Sequence, residues 1–304
     1  MNGKPQPPEA RMFVLAHLSD PHIPPLPEVA FAALIGKRIT GYLNWRLRRG
    51  EHHSRAVLDA LTADLLRHEP DHIAVTGDLA NLSLAPEFLT GRAFLESLGD
   101  PKRVSVIPGN HDAYVGGADK VYLDAWRDYL AGDTPGAFPF PYLRRRGPVA
   151  LIGLSTGVPT PPFFASGRVG SAQMDRFAVM MEELPREQCF RVVMIHHPPA
   201  GKRPWLKRLE DAEDFRGVIA RLGAELILSG HDHIAAVNEI PGLRKDVPVV
   251  QVPSASATPG DPRGGGAYNL YRIDGAPGRW TCEMETRAIA LNGSVETVAK
   301  RKLL

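Results

Sequence analysis

Short apolar runs alternate with helical periodicities through the first three quarters of the chain. Residues 13–18 form a compact apolar run that reads as a buried strand, and Ser19-Asp20-Pro21-His22 follows at once. Ser54 is placed to cap a helix in which Val57, Leu58, Leu61, Leu65 and Leu66 recur at helical spacing. Residues 72–76 read as the next strand, leading into Gly77-Asp78-Leu79-Ala80-Asn81. A helical pattern over 85–98 then precedes a strand at 103–107, which delivers Gly109-Asn110-His111-Asp112. The same rhythm continues with a helix near 118–131, a Pro- and Gly-rich loop at 132–148, a strand at 149–154 and a helix at 171–184. A strand at 191–195 ends in His196-His197-Pro198-Pro199, and a basic loop follows at 200–208. A helix near 211–222 and a strand at 225–229 lead to Gly230-His231-Asp232-His233. From 234 onward the pattern changes to short strands with turns (234–240, 247–253, 267–273, 280–289), and 292–304 reads as a frayed tail. Strands alternating with helical crossovers predict an α/β fold, and with no internal repeat or clean linker the simplest count is one domain over 1–304.

Composition narrows the class. At 304 residues, with 43% hydrophobic and 23% charged positions, the chain can bury a sizeable core and matches ordinary globular usage. A net charge of +2 gives no support for a nucleic-acid-binding role. Cys189 and Cys282 stand far apart and in no motif, as expected of a reduced protein. No run approaches the ~18–20 apolar residues of a membrane span, and Met1–Arg11 holds no apolar signal core, so a soluble cytoplasmic protein is expected.

The chemistry is concentrated at strand ends. Asp20-x-His22, Gly77-Asp78, Gly109-Asn110-His111-Asp112, His196 and Gly230-His231-x-His233 each lie within a few residues of a predicted strand terminus. In an open α/β sheet that edge is where ligands bind. Carboxylates, imidazoles and an amide without thiolates suit divalent or trivalent Mn, Fe or Zn. In extended segments the i, i+2 spacing points both side chains of Asp20/His22, and of His231/His233, the same way. Asp78 is placed to bridge two ions.

These five blocks, in this order, resemble the calcineurin-like metallophosphoesterase family, and the likeness spans residues 18–233. The resemblance implies a four-layer α/β/β/α sandwich of two mixed sheets flanked by helices, with the C-terminal strands extending the second sheet. It also implies two metal ions, one held by Asp20, His22, Asp78 and His233, the other by Asp78, Asn110, His196 and His231. Two ions a few ångströms apart lower the pKa of a shared water and offset charge on the phosphoryl oxygens. His111 is then the expected proton donor to the leaving oxygen, with Asp112 orienting it. Asn81 and His197 are expected near substrate.

Within the family the wording and size look most like bacterial phosphodiesterases of cyclic nucleotides or glycerophosphodiesters. The alternatives are a phosphomonoesterase, a lipid-linked pyrophosphate hydrolase of the UDP-diacylglucosamine type, or a non-catalytic scaffold. The expected partner is a small phosphate ester, with no nucleic acid; oligomeric state is left open. His17, His68 and His72 read as structural or surface histidines, His52 and His53 as solvated, and Ser254 and Ser256 as part of a strand-end turn.

Residues 24–52 depart from the family core. Phe31, Ile35, Ile39 and Leu43 recur four apart, giving an apolar helical stripe that Gly36 and Gly41 weaken. Lys37, Arg38, Arg46, Arg48 and Arg49 add five cations, with no acid between Val29 and Gly50. Three readings stand: an amphipathic cap packed on the domain, a lid supplying cations, or a contact with lipid or an anionic membrane surface.

Overall fold

Burial alternates along the strands in a way that sorts the chain into two sheets. The computed structural model describes residues 12–134, 140–184 and 189–304. Met1–Arg11, residues 135–139 of the expected loop, and the side chains of Phe31, Arg48 and Arg49 lie outside the described residues. The strands are β1 (Phe13–Leu18), β2 (His72–Val75), β3 (Val104–Val106), β4 (Tyr142–Arg146), β5 (Val149–Gly153) and β6 (Phe190–Met194). They continue with β7 (Leu226–Ser229), β8 (Ala236–Ile240), β9 (Val247–Gln251), β10 (Ala267–Ala276), β11 (Arg279–Ile289) and β12 (Val295–Lys302). The helices are α1 (Lys37–Asn44), α2 (Arg55–Arg67), α3 (Ala85–Leu98), α4 (Ala118–Ala125), α5 (Arg127–Leu130), α6 (Ser171–Glu183) and α7 (Ala212–Leu222).

One mixed sheet runs β12-β11-β10-β1-β2-β3 and the other β4-β5-β6-β7-β9-β8. Leu151, Val192, Met194, Leu226, Leu228 and Val250 point from the second sheet into the core shared with the first. Their neighbours Ala150, Ile152, Val193, Ile195, Ile227 and Val249 point the other way, under Phe177 of α6 and Phe215 of α7. This period of two makes a sheet buried on both faces. On the outer face of the first sheet, Val57, Leu58, Leu61 and Leu65 of α2 enter the shared core, and Ser54 caps that helix by accepting from Val57 N. The result is the α/β/β/α sandwich. No helix among the described residues is long and apolar enough to cross a membrane.

Three expectations are corrected. Residues 142–146, read as loop, form β4, because Arg144 is buried and donates to the carbonyls of Ala131, Pro101, Val104 and Asp128. A cage of distant carbonyls leaves no trace in hydropathy. Residues 295–302, read as a frayed tail, form β12, paired antiparallel with β11 although mostly exposed. Only β8 and β9 extend the second sheet; β10, β11 and β12 continue the first, since β10 pairs with β1.

An ion-pair network ties α2 to that extension. Buried Asp64 accepts from Tyr268 Oη at 2.6 Å and from Arg287 Nε at 2.6 Å. Burial raises its proton affinity, but Arg287, Tyr268 and Arg67 outweigh it and hold the carboxyl at about 2, below the ordinary 3.8. A depressed carboxylate stabilises the fold above the unfolded value, and that stability is lost as pH falls from about 3.8 through 2. Asp64→Asn is expected to cost about 2 kcal/mol at neutral pH, with the gap to wild type closing below pH 3; denaturant melts across that window check it.

Candidate metal centre

The strand-end loops of both sheets meet at one point, and the backbone there is unusual. Eight non-glycine residues among those described have positive φ, and five of them are Asp20 (51°), His22 (34°), Asp78 (56°), His231 (75°) and His233 (58°). Left-handed backbone costs a non-glycine residue free energy, and it concentrates where function fixes geometry. The i, i+2 pairs therefore converge by left-handed turns, not by the alternation of extended strands. Gly109 and Gly230 permit the close approach: a Cβ on Gly109 would strike Asp78 Oδ1, and one on Gly230 would strike Ser19 Oγ and Asp20 Oδ2.

Three of the four histidines are oriented through the outward nitrogen, whereas His233 Nδ1 is buried with no hydrogen-bond partner. His22 Nδ1 donates to the Ala80 carbonyl at 3.1 Å, His196 Nδ1 to the Thr76 carbonyl at 2.6 Å, and His231 Nε2 to the Lys207 carbonyl at 3.0 Å. A carbonyl only accepts, so these bonds fix which nitrogen carries the proton and turn the other inward. The inward atoms crowd together. His22 Nε2 lies 3.2 Å from His233 Nε2 and 3.7 Å from Asp78 Oδ2. His233 Nε2 lies 3.3 Å from Asp20 Oδ1. His196 Nε2 lies 3.4 Å from Asp78 Oδ2 and 3.2 Å from Asn110 Oδ1, and His231 Nδ1 lies 2.9 Å from the same Asn110 oxygen.

The last contact decides whether a cation fits. Burial and the neighbouring His196 push the His231 imidazole well below its ordinary pKa, so its one proton stays on Nε2. Its Nδ1 lone pair therefore faces an amide oxygen lone pair at hydrogen-bond distance, which is repulsive unless a cation lies between them. Burial disfavours charge on His196 too, but the Asp78 and Asp20 carboxylates outweigh it and raise the imidazole to about 10, so this buried position favours a positive charge that a metal ion would supply in place of the Nε2 proton. The residues present suit a metal pair.

His111 stands at the cleft side of this cluster. Its backbone N–H donates to Asp78 Oδ1 at 2.7 Å, its Nδ1 donates to the Asn81 carbonyl at 2.6 Å, and its ring stacks on Tyr114 at 5.4 Å. A cleft of about 550 Å³ opens here, lined by Asp78, Asn110, His111, His231 and His233 with Lys37, Tyr114, Phe163 and Arg263. The larger open hollow of about 1000 Å³ between α6 and α7 is lined by none of the clustered side chains.

Three further expected residues surround this cluster. Asp112 does not touch His111 through its carboxylate: that group is buried and accepts from Gly109 N, Asp78 N and Ala80 N at 2.8, 2.8 and 2.9 Å. It joins the loops that carry Asp78 and Asn110, and His111 is held instead by the Asn81 carbonyl and Tyr114. Asn81 is buried, with its N–H donating to Glu87 at 2.6 Å and its carbonyl accepting from His111, while its side-chain amide meets no hydrogen-bond partner. His197 is buried beside His231, ring to ring at 4.4 Å, with its nitrogens bonded to Thr156 Oγ1 at 2.6 Å and the Ala165 carbonyl at 3.2 Å.

The sequence reading missed His53. It is 5% exposed, its ring packs on His22 at 4.9 Å, and Nδ1 meets Ser256 Oγ at 2.7 Å. His22, His53 and His233 place ligand atoms within 4.8 Å of one another. His53 follows the divergent segment rather than a strand, so strand-end logic does not reach it. Ser254, expected only in a turn, donates to the Asp20 carbonyl at 2.6 Å.

The calcineurin-like phosphoesterase family model matches residues 13–235, nearly three quarters of the chain. The chain belongs to the calcineurin-like phosphoesterase family. Among solved structures, it is similar to a dimetal phosphatase from Danio rerio, with a TM-score of 0.61 at 12% identity, covering 94% of this chain and 98% of that one. A purple acid phosphatase from yellow lupin seeds gives 0.60 at 12% identity, covering 96% and 54%. A 5′-nucleotidase precursor from Thermus thermophilus gives 0.52 at 17%, covering 90% and 54%. The chain thus spans about half of those last two proteins. Likeness at these identities speaks for the fold. No curated protein matches by sequence.

Proposed function

We propose that this phosphoesterase hydrolyses phosphodiesters, with Asp20, His22, Asp78 and His233 holding one metal ion and Asp78, Asn110, His196 and His231 a second. The observation that carries this reading is the convergence of inward lone pairs on Asp78 and Asn110 at the floor of an open cleft. The oxygen and imidazole donors, without thiolate, fit Mn, Fe or Zn. Two such ions, when bound, supply an activated water and electrostatic neutralisation of the phosphoryl group.

The chain's own residues do the rest. Asp78 takes a hydrogen bond from His111 N and turns its other oxygen toward His22 and His196, so one carboxylate spans the centre. His111, with Nδ1–H committed to Asn81, presents Nε2 to the cleft, and its imidazolium form would give the Nε2 proton to the leaving oxygen. A diester carries a single charge and two organic arms. Tyr114 and Phe163 offer apolar walls for those arms, and Lys37 offers a cation whose bonding partners are neutral, Thr160 Oγ1 and the Phe164 carbonyl.

The test uses metal-free protein reloaded with Mn²⁺, Fe²⁺ or Zn²⁺, with bis-p-nitrophenyl phosphate compared with p-nitrophenyl phosphate and with 3′,5′-cyclic AMP. Diester turnover that returns with metal and is lost in Asn110→Ala is expected. Turnover of the monoester alone would end the diester reading and leave the metal centre standing.

Lys37 gives a pH signature. Burial pushes its ammonium down to about 8, so the charge is present below that pH and lost above it. The KM for an anionic diester is expected to be flat below pH 8 and to climb above it. Lys37→Met is expected to raise KM about tenfold and to remove the inflection, leaving kcat unchanged; a KM–pH profile of both proteins decides.

A further inference from the structure

The divergent segment does not pack as its hydropathy predicts. Lys37, Gly41 and Asn44 share the inner face of α1: Lys37 and Asn44 line the cleft, and a Cβ on Gly41 would strike Leu82 and Tyr114. The apolar stripe faces outward, with Ile39 36%, Leu43 50% and Leu47 77% exposed, preceded by Ile35 at 75%. Phe163 at 82% and Trp205 at 62% stand on two neighbouring loops. Of fourteen large hydrophobic side chains exposed among the described residues, these six lie on three adjoining segments. Lys37 binds the Phe163 loop through Thr160 Oγ1 and the Phe164 carbonyl, and Phe164 meets Trp205 edge-on at 5.0 Å. The three segments therefore form one continuous rim at the mouth of the cleft. Leaving so much contiguous apolar surface in water is unfavourable and marks a contact surface.

Charge identifies what the rim meets. From Val29 to Gly50 the chain carries five cations and no acid, although the whole protein has a net charge of only +2; of these, Lys37 lines the cleft and Arg38 donates to the Leu82 and Ser83 carbonyls. Arg46 is exposed within the apolar stripe, and Lys202, Lys207 and Arg208 are exposed around Trp205. Aliphatic and aromatic side chains interleaved with cations match an interface of acyl chains and anionic headgroups. A second copy of the chain in a two-fold contact would instead set cation against cation.

We propose that this rim docks on an anionic lipid bilayer, with Leu43, Leu47, Phe163 and Trp205 entering the interface and the cations meeting lipid phosphates. The cleft then opens toward phosphate esters carried by amphiphiles in that surface. This second part rests on the phosphoesterase reading above; the docking does not.

The test is flotation of the metal-loaded protein with phosphatidylcholine vesicles, with and without phosphatidylglycerol, at low and high salt. The protein is expected to float with the anionic vesicles, much less with pure phosphatidylcholine, and less as salt rises. Leu43→Asp combined with Leu47→Asp is expected to weaken partition about tenfold or more, with turnover of soluble bis-p-nitrophenyl phosphate unchanged. Arg46→Glu provides a milder, independently folding check in the same direction. Failure of the wild type to bind anionic vesicles, or equal binding by these variants, overturns the proposal. A wild-type dimer that ignores vesicles and dissociates in the Leu43/Leu47 variant also overturns it and assigns the face to a second copy. Vesicle binding without turnover of any soluble diester would instead count against the phosphoesterase reading alone.

Discussion

Asp78→Asn is expected to reduce diester turnover about a thousandfold or more, with bound metal falling below two ions per chain. The substitution keeps the shape and removes the charge at the one residue that faces both halves of the cluster. Asp78 Oδ2 lies 3.7 Å from His22 Nε2 and 3.4 Å from His196 Nε2, while Oδ1 accepts from His111 N at 2.7 Å. An amide offers a single, weaker acceptor oxygen and sets an N–H₂ against either the His111 N–H or the metal position. Both outcomes spoil the centre, one through geometry and the other through charge. The measurements are elemental analysis of the purified variant beside its kcat on bis-p-nitrophenyl phosphate. Full metal content with wild-type turnover would remove Asp78 from the bridging role.

The second large effect lies one layer out. Asp112→Asn is expected to lower stability by about 3 kcal/mol and to raise the metal concentration needed for half-maximal activity about 10- to 100-fold. Asp112 accepts from three backbone N–H groups, two on the Asp78 loop and one at Gly109, so its carboxylate joins the two loops that carry Asp78 and Asn110. The carboxamide can satisfy one side only and turns a donor toward the others, leaving buried N–H groups unpaired. Denaturant melts and metal titrations read the two effects separately. A variant that loses kcat at saturating metal, with stability and metal affinity intact, would restore Asp112 to a direct role beside His111.

The sequence made the clustered side chains other than His53, and their order, legible because each sits beside a strand whose apolar pattern is strong. What it could not show was how they converge. Asp20 and His22, or His231 and His233, look like alternate residues of an extended segment, yet they meet through left-handed backbone that hydropathy does not encode. Asp112 carries a suggestive side chain in a suggestive place, and three long-range N–H groups hold its carboxylate between two loops. His53 went unrecognised because its neighbours in space, His22 and His233, are set by the sheet and not by its own segment. Strand β4 was hidden by an Arg-Arg-Arg run whose first member, Arg144, is buried among carbonyls. In 24–52 the α-helix begins only at Lys37, so Phe31 and Ile35 of the expected stripe precede it, while Ile39 and Leu43 face outward; Gly41, read as a weakness in the helix, lets its polar face approach Leu82 and Tyr114.

The central claim is that the inward lone pairs of seven side chains hold two ions around Asp78. Anomalous diffraction from crystals of the Mn²⁺-loaded protein tests it most directly. Two peaks are predicted, one among Asp20, His22, Asp78 and His233, the other among Asp78, Asn110, His196 and His231, both in contact with Asp78. A single peak, or two peaks that do not share Asp78, would contradict it.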